Sequence, residues 1–352
     1  MTAHITVQPS GHRFTVEEGE TLLEGALRSG LNMNYHCNSG SCGECQARVL
    51  EGEPGRRLPH DYVLGETARQ QGVVLLCHTH ADSDLVIEAR EAHGVEDIPQ
   101  QAIDTQVAKL EQPVEDVMIL HLRTPRSRTL RFLAGQYVTL HIDGLAPRSK
   151  SIASCPCNGM MLQFHVRRVA GDPFSEHVFQ HLKPRQKIHV EGPHGDFVWD
   201  ENTRRPVIFI AFETGFAPIK SLIEHAIALE YDQPMRLYWI ARDRDGHYLA
   251  NHCRAWQDAL DNFEYHPLVS HESPPWTDEV LEELALSLET LDPVARGMVQ
   301  AAAQVVAELP ALEGHDVYVN GAETLLSPLR GLLLRHGLPA SRLFVDRVRR
   351  HQ

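Results

Sequence analysis

The chain has 352 residues, more than one ordinary domain needs, so two or three folded units are expected. With 42% hydrophobic and 23% charged residues, wholesale disorder is excluded, and apolar runs such as Val207–Phe212 fall far short of the about 20 residues a membrane span requires. The 33 basic and 47 acidic residues give a net charge of −14, which argues against nucleic-acid binding, where phosphate neutralisation dominates affinity.

The N-terminus, Met1-Thr-Ala-His-Ile, has neither a basic nor a long apolar segment, so a cytoplasmic location is expected. His4–Pro9 and Arg13–Val16 alternate in polarity and predict a β-hairpin. Thr21-Leu-Leu-Glu24 has the capping-box spacing, and Leu22, Leu23, Ala26 and Leu27 keep helical periodicity until Gly30. Strand-like runs Gln46–Leu50 and Leu85–Ala89 complete a small α+β unit. Residues 1–98 hold 15 Asp/Glu, 7 Arg and no Lys. That local excess either steers a basic partner or simply keeps the module soluble. Glu91–Gln101 lacks an apolar period and reads as a linker.

Strand-like segments then come quickly: Val114–Leu122, Gln136–Ile142, Ser149–Ser154, Met161–Val169 and Lys187–Glu191, with one helix candidate, Ser175–Leu182. The spacing predicts an antiparallel barrel or sandwich. After Arg205 strands and helices alternate. Pro206–Phe212, Met235–Ala241 and Asp316–Val319 read as strands; Pro218–Leu229, Pro293–Leu309 and Thr324–His336 read as helices. This predicts a parallel, doubly wound sheet. An acidic segment at 273–292 reads as a surface insertion or a docking element.

Cys37, Cys42, Cys45 and Cys77 form C-x4-C-x2-C…C. Four thiolates hold a [2Fe–2S] cluster, and Gly40 and Gly43 permit the tight loop that brings three of them together. Zinc sites usually pair two C-x2-C units, and no second pair occurs. An odd total of seven cysteines argues against a disulfide framework, so Cys155, Cys157 and Cys253 read as structural thiols. Rieske-type ligation by His78 or His80 would need two Cys-x-His pairs, so both read as solvated. Arg148 at a strand start can fork onto a pyrophosphate, although a surface arginine is the commoner case. The Gly171–Ser175 turn before a helix is a ready anion site, and so is Thr214-Gly215 before Ala217-Pro218. No general-base signature is evident.

Residues 1–98 resemble the plant-type ferredoxin module. Arg148-Ser149-Lys150-Ser151, Gly171–Ser175 and Gly192-Pro193-His-Gly195-Asp-Phe197 together resemble the flavin domain of the ferredoxin reductase superfamily. Phe212-Glu213-Thr214-Gly215-Phe216-Ala217-Pro218 resembles that superfamily's nucleotide motif. The resemblance implies three units: an α+β ferredoxin (β-grasp) at 1–98, an antiparallel β-barrel flavin domain at 102–202 and an α/β Rossmann-like domain at 205–352. It implies that Cys37 and Cys42 hold one iron and Cys45 and Cys77 the other. Arg148, Ser149, Ser151, Val166, Gly171, Phe174 and Ser175 would then hold FAD, and Thr214, Gly215, Ala217, Pro218, Arg242 and Gly321 the NADH.

Five positions depart from the pattern. Lys150 replaces the Tyr that stacks on the flavin, Asp172, Phe212 and Glu213 replace glycines, and Ile240 stands where glycine is usual. Asn320-Gly321-Ala322 also occupies the place of the usual Cys-Gly-Pro.

The implied protein is an NADH-dependent iron–sulfur flavoprotein oxidoreductase, a monomer that passes electrons to a protein such as an oxygenase component. Two alternatives stand beside it: an electron carrier on a degenerate reductase scaffold, and a CDP-6-deoxy-glucoseen reductase-like partner of a dehydratase.

Overall fold

In the computed structural model, residues 2–58, 63–270, 291–309 and 311–346 are described. All but the last two residues of the acidic 273–292 segment lie outside them.

The first unit contains β1 (Ala3–Gln8), β2 (Arg13–Val16), α1 (Leu22–Arg28), β3 (Gln46–Glu51), β4 (Pro54–Arg57), α2 (Glu66–Gln70), β5 (Val73–Leu75), β6 (Thr79–Ala81) and β7 (Leu85–Ala89). The expected hairpin forms, with Ile5 opposite Phe14, and β7 joins β1 in parallel. The sheet runs β2-β1-β7-β3-β5, while β4 and β6 pair separately. The capping box at Thr21 and Glu24 closes in both directions and starts α1, worth about 1 kcal/mol. Leu22, Leu23 and Ala26 of α1 are fully buried on this sheet.

The expected linker is not loose. Its Ala92 and Ile98 are buried with Leu133, and Gln101 already begins a strand. The second unit comprises β8 (Gln101–Val114), β9 (Val117–Arg123), β10 (Tyr137–His141), β11 (Arg148–Ser151), β12 (Met161–Arg167), α3 (Pro173–Gln180) and β13 (Lys187–His194). Its antiparallel sheet runs β11-β10-β13-β8-β9-β12. The edges come together where Ala153 N–H donates to Gln163 O at 2.7 Å, so the sheet nearly closes into a barrel.

The third unit contains β14 (Val207–Phe212), α4 (Phe216–Ala228), β15 (Met235–Ala241), α5 (Ala250–Ala259), β16 (Phe263–Val269), α6 (Pro293–Glu308), β17 (Asp316–Asn320), α7 (Glu323–Arg335) and β18 (Leu343–Val345). All five strands are parallel, in the order β16-β15-β14-β17-β18. Every residue of β14 is buried, as a central strand covered on both faces requires. The order reverses between β14 and β17, and ligands of such sheets bind outside the strand ends at that switch point.

Candidate functional site

Cys37, Cys42 and Cys45 lie on one loop, and Cys77 sits in a short turn at Leu76–His78 that packs beside it. Cys45 and Cys77 Sγ lie 3.3 Å apart, and Cys37 and Cys42 interact side chain to side chain. The sulfurs therefore form two pairs, the arrangement a two-iron cluster needs, whereas no group of three donors converges on a single ion among the described residues. Gly40 (φ 69°) and Gly43 (φ 77°) are left-handed, and a Cβ on Gly40 would lie 2.7 Å from the His78 ring. Burial opposes ionisation of Cys37, but hydrogen bonds from Cys42, Ser39 and Ser41 outweigh it and bring the thiol down to about 6.

This loop is seated on the barrel. Asn38 N–H donates to Arg126 O at 2.8 Å and Thr129 N–H to His36 O at 3.0 Å. Buried Arg131 donates to Asn34 Oδ1 at 2.6 Å and lies 5.9 Å from the Tyr35 ring centre.

On the barrel, Arg148 Nη2 lies 3.0 Å from Asp172 Oδ1. Asp172 also caps α3 by accepting from Ser175 N–H at 2.9 Å. The helix thus starts two residues earlier than expected, because Asp172 caps and Pro173 occupies its first position. Lys150 Nζ sits 5.5 Å over the Phe174 ring. Burial lowers the Lys150 pKa, Asp172 opposes that and Arg148 adds to it. Val166 and Phe174 are in the barrel core. Ser149 Oγ is buried with no hydrogen-bond partner among the described residues, an orphan of the kind a bound ligand satisfies.

Ser151 Oγ lies 3.4 Å from Asp346 Oδ2, which also accepts from Asn320 Nδ2 at 2.6 Å. A cleft of about 810 Å³ opens beside them, lined in part by Asp196, Phe197, Gly321, Arg330 and Phe344. Asp346 was missed in the sequence because it follows a three-residue strand, β18, too short to show periodicity.

At the switch point, Gly215 and Gly321 are required by close approach. A Cβ on Gly215 would lie 2.5 Å from Asn320 O, and one on Gly321 2.8 Å from Phe212 Cβ. Helix α4 begins at Phe216, so Pro218 is its third residue and not the first as expected; no intrahelical N–H bond is lost there either. Glu213 holds φ 54°, a left-handed value uncommon outside glycine. Its carboxylate accepts from Arg242 N–H at 2.6 Å and pairs with Nη2 of Arg167 on the barrel, whose Nη1 bonds Asp116 at 2.6 Å. A carboxylate that would repel a pyrophosphate if it faced one is thus turned onto two arginines. Arg167 was missed because no motif contains it.

Three family matches follow the same order: the 2Fe-2S iron-sulfur cluster binding domain over residues 5–82, the oxidoreductase FAD-binding domain over 104–199 and the oxidoreductase NAD-binding domain over 209–328. The chain is 30% identical over 346 residues to CDP-6-deoxy-L-threo-D-glycero-4-hexulose-3-dehydrase reductase of Yersinia pseudotuberculosis, covering 98% of each chain. It belongs to the ferredoxin-fused NAD(P)H:flavin reductase family. It is also 30% identical to a Comamonas terephthalate 1,2-dioxygenase reductase component, over 75% of this chain and 78% of that one. Among solved structures it resembles an Amycolatopsis cytochrome P450 reductase, with a TM-score of 0.60 and 25% identity over 98% of both chains. This member of the family is an NADH-dependent oxidoreductase with a [2Fe–2S] cluster and FAD, and it delivers electrons to a protein acceptor. No helix among the described residues is long and apolar enough to cross a membrane.

One further expectation is corrected. Cys155 and Cys157 are joined in a disulfide and are not separate thiols; Pro156 turns the chain so that their Cα atoms lie 5.2 Å apart, within disulfide range.

Proposed function

We propose that the chain divides functionally at 1–98, 102–202 and 205–352, and that each unit carries one step of a single electron path. FAD accepts two electrons together and releases them one at a time, the conversion that links a nicotinamide to a one-electron cluster. Arg148 and the Gly171–Ser175 turn bind its pyrophosphate, with Ser149 Oγ as a further donor. Arg148 must then be shared between Asp172 and phosphate. Ser151, bonded to Asp346, which Asn320 holds in turn, faces the ring edge from the nucleotide side. Thr214, Gly215 and the amides of Ala217 and the first turn of α4 hold the dinucleotide, Gly321 leaves it room, and Arg242 stands at the end of β15. Cys37, Cys42, Cys45 and Cys77 ligate the cluster.

The observation that carries this reading is the backbone seam between the cysteine loop and the barrel, at His36–Thr129 and Asn38–Arg126. It supports the reading because a cluster held on this loop would lie against the flavin unit. The acceptor is a protein that docks on the exposed side of the ferredoxin module, of the oxygenase-component kind. A dehydratase acceptor is the second reading, favoured by the full-length match to the Yersinia reductase. The purified protein should show flavin absorption near about 450 nm above the cluster bands, both bleached by NADH. Reducing both candidate acceptor classes in turn then separates the two readings.

A further inference from the structure

We propose that Cys155–Cys157 is a reversible dithiol–disulfide site whose state sets how firmly the ferredoxin module is seated for electron transfer. The path from nicotinamide to cluster does not use this pair. Stability does not explain it either, because closing a loop of three residues removes little chain entropy.

Its position explains it better. The turn Pro156–Asn158 packs between α1 of the ferredoxin unit and α4 of the nucleotide unit. On one side Pro156 shares a small cavity with Leu27, Met33 and Tyr35. Gly159 lies so close to Tyr35 that a Cβ would come within 2.5 Å of its hydroxyl. Tyr35 is two residues from the cluster ligand Cys37. On the other side Cys155 N–H donates to Glu224 Oε2 at 3.2 Å, and Ser221 Oγ to Ser154 O at 2.7 Å. One short covalent loop therefore touches all three units.

The chemistry is available. Cys155 is buried and Cys157 is half-buried, so an incoming thiolate meets Cys157 Sγ first. Its attack forms a mixed disulfide on Cys157 and expels Cys155 as a thiolate. The Cys157 N–H, 3.2 Å from Cys155 Sγ, stabilises that leaving group. The reagent's second thiol then attacks the mixed disulfide, releasing Cys157 as a thiolate. Two electrons pass from a dithiol reductant to the protein, its two protons end on the two cysteines, and the reductant leaves as a disulfide. Opening the loop frees the 155–159 turn and loosens the contact with Tyr35.

Holoprotein is treated with N-ethylmaleimide with and without prior dithiothreitol, without denaturant, and the 155–157 peptide is read by mass spectrometry. Alkylation of both cysteines only after dithiothreitol is expected. Desalted anaerobically, the reduced protein should pass electrons from NADH to cytochrome c about fivefold more slowly, with NADH–ferricyanide turnover unchanged. Cys157→Ser should sit at the slower rate and ignore dithiothreitol. Labelling without reductant, or only after denaturation, overturns the proposal. An opened pair with both rates unchanged, or both reduced alike, overturns the link to the ferredoxin seat.

Discussion

A single sulfur decides whether the cluster forms. Cys45 is buried against Cys77, and a serine oxygen there is a poor substitute for thiolate. Cys45→Ser should lose the reduced-state EPR signal and electron transfer to protein acceptors, yet keep NADH–ferricyanide turnover, which needs only flavin. A retained EPR signal would show that Cys45 is not a ligand. Lys150 is the second residue whose chemistry stands out, because an ammonium replaces the family's aromatic ring and packs over Phe174. A cation beside the flavin stabilises the anionic reduced form, and about 1.4 kcal/mol corresponds to about 30 mV for a two-electron couple. Both Lys150→Met and Lys150→Tyr should therefore lower the flavin midpoint potential in a dye-coupled titration. Tyr alone should also tighten FAD retention. Equal potentials in wild type and Met variant would reduce Lys150 to a space-filler.

Helix α4 carries a buried titratable group and adjoins a charged bridge, and both have measurable consequences. Burial holds His225 down to about 4, so it stays neutral in the fold while an unfolded imidazole takes its proton near 6.5. The unfolded chain thus binds more protons in that window, and stability falls as pH drops from about 6.5 to about 4, by about 3 kcal/mol when complete. His225→Leu should flatten this acid limb in thermal melts; an unchanged slope would place the titration elsewhere. The turn before α4 holds Glu213 on Arg242, whose guanidinium is 3.6 Å from the carboxylate. Glu213→Gln should release Arg242 for a 2′-phosphate and raise the NADPH-to-NADH ratio of kcat/KM about tenfold, from a wild-type preference for NADH. An unmoved ratio would mean that Arg242 does not meet the ribose. These elements were legible to different degrees. Strand β14 announced itself as an unbroken apolar run. Strand β8 did not: Gln101–Val114 is half polar because its barrel face alone is buried, so only its last residue entered an expected strand. Helix α5 has a largely polar surface, and its buried side reduces to Cys253, so no apolar stripe marked it.

Across the whole molecule, the order of units could be read from local motifs, because each motif spans only a few residues. The seams could not, since they join residues far apart in the chain: Asn34 with Arg131, Ser151 with Asp346, Arg167 with Glu213. No local spacing encodes such pairs. The seam between ferredoxin and barrel is where such contacts bear on rate, because electron transfer there depends on how closely the two units are held. Arg131 spans it from a buried position that pulls its pKa down, through a charge-assisted bond to Asn34 and a contact with Tyr35. Arg131→Met keeps an aliphatic stem and removes the guanidinium that lies over Tyr35 and bonds Asn34. NADH–ferricyanide turnover should stay at the wild-type value, while NADH–cytochrome c turnover should fall about tenfold, the cost of one broken charge-assisted bond. If both rates fell together, the buried guanidinium would be supporting the barrel itself and not the seam alone. If neither fell, the backbone bonds at His36 and Asn38 would be sufficient to seat the cluster, and the side-chain contacts across the seam would be packing alone.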